Sequence, residues 1–254
     1  MEVGMRERAV AVVTGGSRGI GAAAAVELGR RGYRVVVNYH SRADAADAVV
    51  ADIRQVGGDG IAVGGDVRDQ TAAERVVSTA VSEFGRLDAL ICNAATPVTF
   101  TPFPELSFDE LAGKVRDELA AAYYPVHFAV PQMVAQGAGR MVFVSSDMAT
   151  RTPFGGGIAH GTAKSALNAF VRYLAVEYGP SGITANVVAP GYVRTENSAA
   201  NISSDFEDER AKTTPVRRVC LPADVGMVIA QLAADTGGYL TGLQVPVTGG
   251  RHLV

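Results

Sequence analysis

Val10-Ala11-Val12-Val13-Thr14-Gly15-Gly16-Ser17-Arg18-Gly19-Ile20-Gly21 decides the fold. A short Val-rich run ends in a glycine-rich turn, and the alanine-rich stretch 20–30 follows with helical character. A run this short and β-branched reads as a buried strand. Gly15, Gly19 and Gly21 then lie between a strand and a helix. Glycine lets the backbone approach a pyrophosphate, and the following helix N-terminus favours negative charge. Glycine triplets also occur in tight βα turns that bind nothing. The placement after a strand and before a helix is what points to a phosphate.

The same alternation continues outward. Residues 34–38, 60–63, 89–92, 141–145, 184–188 and 244–247 read as strands, and 43–56, 71–84, 108–134 and 160–178 as helices. Strands rich in Val and Ile that alternate with helices form a parallel sheet covered on both faces. The expected fold is α/β, with one domain over residues 1–254 and a doubly wound parallel sheet of about seven strands. Pro125 and Pro131 predict kinks in the long helix. Pro97, Pro102 and Pro104 make residues 96–107 a loop. The stretch 197–214 is polar and weakly patterned, so residues 192–214 are the candidate for a mobile substrate lid.

Composition excludes several classes. The chain has 254 residues, 48% of them hydrophobic, and a net charge of −3. Such a chain builds a core, and its interspersed charges give no footprint for nucleic acid or an anionic membrane. Two cysteines, Cys92 and Cys220, make neither a disulfide frame nor a metal site. With no apolar stretch long enough to span a bilayer and no leader-like N-terminus, a cytoplasmic location is expected.

The end of the second strand bears on the nucleotide. An acid there would bond a ribose 2′-hydroxyl and repel a 2′-phosphate. The chain has Asn38, with Ser41 and Arg42 just beyond and Arg18 in the glycine loop. Arg18, Ser41 and Arg42 would form a cationic cup for a 2′-phosphate, so NADP(H) is the expected cofactor. The plainer alternative makes both arginines solvated surface charges.

A second cluster carries the chemistry. His160 precedes Lys164 by four residues, which puts both on one helix face. Ser146 closes the strand before that helix. With Thr14-Gly15-Gly16-Ser17-Arg18-Gly19-Ile20-Gly21, Asn93-Ala94-Ala95 and the tail Thr248-Gly249-Gly250, this pattern resembles the short-chain dehydrogenase/reductase family. It is most similar to the 3-oxoacyl-carrier-protein reductase branch.

The resemblance implies a Rossmann-type fold and a site residue by residue. Gly15, Ser17, Arg18, Gly19, Ile20 and Gly21 would cradle the cofactor phosphates. Asp66 and Val67 would meet the adenine, with Asn93 and Ala94 on the cofactor floor. Pro190, Gly191, Val193 and Thr195 would hold the nicotinamide amide, and Lys164 the nicotinamide ribose. Ser146 would bond the substrate carbonyl. It also implies a homotetramer, or at least a dimer, packed through helices 110–134 and 160–178 and the tail 240–254. The substrate would be a small or carrier-bound carbonyl compound.

Two positions depart from the family pattern. His160 stands where the family has its catalytic tyrosine, and Glu118 where it has an asparagine. A lysine one turn away disfavours an imidazolium, while a carboxylate at Glu118 would offset the lysine and let His160 protonate as a general acid. Imidazole is about 2 Å shorter than phenol on ordinary bond lengths, so a bridging water or a closer substrate is required. Tyr192 and Asp147 are further candidates beside the site, and packing explains Tyr123, Tyr124 and His127. Three readings stay open here: an NADPH-dependent ketoreductase of polyketide or acyl-thioester substrates, a non-redox isomerase, dehydratase or cyclase, and a binding subunit without catalysis.

Overall fold

The computed structural model describes residues 8–151, 155–199, 203–234 and 238–251. Seven strands form one sheet: β1 (Val10–Val13), β2 (Arg34–Tyr39), β3 (Asp59–Gly64), β4 (Ala89–Cys92), β5 (Gly139–Val144), β6 (Ile183–Pro190) and β7 (Gln244–Val247). Their spatial order is β3-β2-β1-β4-β5-β6-β7, and every neighbouring pair is parallel.

The period of two along each strand divides the core. Val10, Val12, Leu90 and Phe143 face one layer of helices, namely α3 (Gln70–Phe84), α4 (Phe108–Gln136) and α5 (Ile158–Tyr178). Ala11, Val13, Ile91 and Val142 face the other, formed by α1 (Gly19–Arg30), α2 (Ala43–Gln55) and a late helix, Pro222–Ala233. Both faces of the central strands are therefore dry, which is why they read as unbroken apolar runs rather than alternating ones.

Local signals set the helix ends. The Asp69 carboxylate accepts from the Ala72 amide at the start of α3, and Ser107 accepts from the Glu110 amide at the start of α4. The 29-residue α4 runs uninterrupted through Pro125 and Pro131, where breaks or kinks are the usual result. Its burial between α3, α5 and the sheet outweighs the two missing amide donors. Residues expected as an irregular lid form α6 (Glu196–Ala199) and α7 (Ser204–Thr213), and α8 is Pro222–Ala233. Strand β5 ends at Val144, so Ser146 stands two residues beyond it rather than at its last position. Among the described residues both cysteines are free, and no helix is long and apolar enough to cross a membrane.

Candidate active site

The order of strand addition reverses between β1 and β4 while all strands stay parallel, and the glycine loop sits at that switch point. Gly15 and Gly19 have φ of +60° and +56°, where a side chain is strained. A Cβ on Gly21 would lie 2.4 Å from the Gly15 carbonyl oxygen and 2.5 Å from Asn93 Nδ2, so the loop closes only with glycine there. Asn93 donates its carboxamide to the Thr14 and Gly15 carbonyls, each at 3.0 Å, and the Ala94 amide donates to Thr14 Oγ1. No side chain caps the N-terminus of α1. Its first amides thus suit a phosphate, and the loop fits a dinucleotide pyrophosphate.

Asn38 works on this loop rather than on a ribose directly. It is buried, accepts from the Gly15 amide at 3.1 Å, and donates to the Val63 and Gly65 carbonyls at 3.2 and 2.9 Å. All of its carboxamide is spent tying the loop to β2 and β3. What faces outward is Ser41 and Arg42, both exposed, with Arg18 exposed in the loop. Arg42 forms an ion pair with Glu196 at 3.6 Å. Asp66 accepts from Nε and Nη2 of Arg68, and the Val67 side chain beside it is buried in the core.

Pro190 ends β6, and the Gly191 amide donates to the Val247 carbonyl at 3.3 Å. Val193 pairs with Cys220 in an isolated bridge. The Thr195 amide donates to Ser198 Oγ at 2.8 Å. The Thr195 methyl lies 3.4 Å from a Cβ placed on Gly19, so the segment after β6 borders the glycine loop.

The second cluster forms at the ends of β5 and α5. Ser146 Oγ accepts from the Met148 amide at 3.2 Å and caps the turn Asp147–Ala149. One helical turn separates His160 from Lys164, and both are buried. Lys164 donates to the Val144 carbonyl at 2.9 Å and to Glu118 Oε1. Glu118 is 2% exposed and is part of the site. Its other oxygen accepts from Lys114 at 3.0 Å and from Thr96 Oγ1 at 3.2 Å. Lys114 also donates to the Thr96 and Pro97 carbonyls, fastening the loop after β4 to α4. Asp117, one residue from Glu118, faces away and pairs with Arg68 and Arg116.

Lys114 and Thr96 were absent from the sequence reading. The signal for Lys114 was there: it precedes Glu118 by four residues and is one of only three lysines. Its presence changes the electrostatics. Burial alone would raise the Glu118 carboxyl, but Lys164 and Lys114 outweigh it and hold it at about 2. Burial, then Lys164, then Lys114 push His160 down to about 4, against a smaller opposing pull from Glu118. The expected compensation, in which Glu118 lets His160 protonate, therefore fails near neutral pH. The carboxylate is already matched by two ammonium groups, and the imidazole is neutral. His160 Nδ1 is buried without a hydrogen-bond partner, so the ring keeps a polar atom unused by the protein.

Tyr192 is committed elsewhere. Its hydroxyl donates to Glu207 at 2.9 Å, and burial followed by that carboxylate raises its pKa, although a bond with Ser198 opposes the rise. The Tyr123 ring stacks on His127, meets Tyr124 edge-on and lies tilted against Phe170 of α5, although Tyr123 itself is exposed.

Comparison with known proteins matches this geometry. A family model described as enoyl-(acyl carrier protein) reductase covers residues 15–252. The chain belongs to the short-chain dehydrogenase/reductase family. It is 34% identical to a versicolorin reductase of Emericella nidulans over 95% of this chain and 94% of that one. It is 32% identical to a probable tetrahydroxynaphthalene reductase of Zymoseptoria tritici over 94% and 93%. A short-chain dehydrogenase/reductase structure from Serratia marcescens superposes with a TM-score of 0.87 at 33% identity, covering 97% and 99% of the two chains. Family members use nicotinamide cofactors. In this chain the glycine loop follows β1, Ser146 follows β5, and Lys164 reaches the end of β5 from α5.

Proposed function

We propose that the protein is an NADPH-dependent reductase of a ketone on a hydroxylated aromatic or acyl-thioester substrate, working through an atypical Ser146–His160–Lys164 site. The observation that carries this reading is Lys164, buried and fastened to the end of β5 within one helical turn of His160. A bound nicotinamide supplies hydride to the carbonyl carbon. Ser146 donates a hydrogen bond to the carbonyl oxygen. His160, standing in the family's tyrosine position, acts as a neutral imidazole: it donates with one nitrogen and accepts with the other. It relays a proton to the nascent alkoxide from water or from an acidic substrate hydroxyl, without resting as a cation. Lys164 holds the nicotinamide ribose, and Glu118 with Lys114 holds Lys164. Ser41, Arg42 and Arg18 receive the 2′-phosphate. The relatives named for reduction of versicolorin and of tetrahydroxynaphthalene support a hydroxylated aromatic substrate.

The enzyme is further proposed to work in the cytoplasm as a homotetramer or dimer, with residues 192–214 closing over the substrate. An apolar hollow of about 380 Å³ between α4 and α5, lined by Leu119, Tyr123, Tyr124 and Phe170, supports the assembly. Incubating the protein with NADPH and hydroxylated naphthalenones, with NADPH oxidation and alcohol formation measured together, tests the reaction. Equal amounts of oxidised cofactor and alcohol are expected. The neutral His160 beside an ionised Glu118 also favours a second reading, a non-redox isomerase or dehydratase on the same scaffold. Product formed without any NADPH consumption would establish that reading instead.

A further inference from the structure

A cavity of about 220 Å³ lies beside the catalytic cluster, bordered by Asp147, Gly191, Tyr192, Arg210, Val247 and Arg251. A cavity of about 150 Å³ already accepts a benzene ring. Its charges are not balanced. The Arg210 guanidinium lies over the Tyr192 and Phe206 rings, 5.9 and 5.2 Å from their centroids. Arg210 Nε is buried with no hydrogen-bond partner. Burial, then the neighbouring Arg251, lower the Arg210 pKa, and Asp147 pulls against them. Arg218 also lines the cavity, but its fork is taken by Asp224 at 2.6 Å on both arms. Glu207 is engaged by Tyr192 and Arg194. Arg251 donates to Thr213 Oγ1 at the end of α7.

Among the described residues, Arg210 thus feels the attraction of Asp147 and the repulsion of Arg251, and its Nε–H remains unmet. A buried unpaired donor and two adjacent like charges both cost stability. An anion in the cavity would remove both costs, and the two stacked rings favour a planar one. We propose that this cavity is a substrate subsite for an aromatic anion, a ring bearing a carboxylate or an acidic phenolate, held by Arg210 and Arg251. The subsite rests on the reductase reading in that it places this ring next to Asp147, the neighbour of Ser146.

Binding of 2-naphthoate and its neutral counterpart 2-naphthamide to the full chain, with and without NADP⁺, tests the subsite by calorimetry. The naphthoate should bind at least tenfold more tightly, and the preference should shrink as salt rises. Arg210→Gln and Arg251→Gln should each reduce that preference at least fivefold. Circular dichroism spectra and melting temperatures matching the unsubstituted protein guard against misfolding of either variant. Equal binding of the two probes, or a preference that survives both substitutions, overturns the subsite. Naphthoate binding with no ketone turnover would instead sink the reductase reading and leave the subsite standing.

Discussion

Lys114 and Lys164 meet on the two oxygens of one buried carboxylate, Glu118. Removing one member of a buried ion pair costs about 3–5 kcal/mol because the partner keeps an uncompensated charge. Glu118→Gln orphans two ammonium groups at once. Urea denaturation should show a loss at the upper end of that range. A loss below about 1 kcal/mol would mean that water already screens the cluster.

Lys114 also helps to keep His160 neutral. Lys114→Met deletes one of the two cations that push the imidazole down, so the His160 pKa should rise from about 4 toward its usual 6.5. NMR titration of the ring protons reads this directly. Lys164 should still reach Glu118, so cofactor affinity should change little. An unmoved His160 titration would show that burial and Lys164 set it without Lys114.

The working form of His160 fixes the sign of the pH dependence. If the neutral ring relays the proton, turnover should be flat across neutral pH and fall on the acid side as the ring protonates near 4. His160→Phe should lower turnover by about 10²–10⁴-fold, the usual worth of a positioned proton-transfer group. NADPH affinity should hardly change. A fall in rate with rising pH through neutrality would identify imidazolium as the reactive form.

Acid stability follows from the same shift. The folded pKa of His160 lies below its unfolded value of 6.5, so the unfolded chain binds the extra proton first. Stability is therefore complete above about pH 6.5 and declines as pH falls toward 4, by roughly 1–3 kcal/mol in total. Glu118 adds a further loss between its usual 4.5 and about 2. Chemical denaturation from pH 7 to 4 should show the first decline, and His160→Phe should flatten it.

If Arg42 receives a ribose 2′-phosphate, Glu196 competes with it for the guanidinium. NADPH should bind more tightly than NADH, and Arg42→Ala should weaken NADPH alone by about 1–3 kcal/mol. Glu196→Gln frees the guanidinium and should tighten NADPH by about two- to fivefold, the worth of an exposed ion pair. Calorimetry with both cofactors decides. Equal affinities for NADPH and NADH would remove Arg42 from the ribose site.

On α4 and α5, Leu174 is buried, and Phe128 and Phe170 pack against the core. Tyr123, Tyr173 and Val176 are among the exposed apolar residues of α4 and α5, the last two 76% and 79% exposed. Tyr173→Asp should therefore shift the assembly toward smaller species in light scattering. A monodisperse monomer of the unsubstituted protein would refute the interface altogether.

The sequence by itself determined the sheet and the place of the site. Val-rich runs of strand length, each followed by a helix, allow only a parallel sheet buried on both faces, and Gly15, Gly19 and Gly21 mark where its order reverses. These are local signals, written in consecutive residues. The charge state of the catalytic cluster was not local. Glu118 lies 46 residues from Lys164, and its weight depended on whether Lys114 spent it first. Asn38 was legible as the residue closing β2, but not that the Gly15 amide and the Val63 and Gly65 carbonyls would engage its carboxamide. The proline pair in α4 read as a place for kinks, and the helix runs on through both prolines, packed on α3, α5 and the sheet. Electrostatic and packing energies depend on every neighbour brought close by the fold, so only the tertiary structure decided that His160 is neutral.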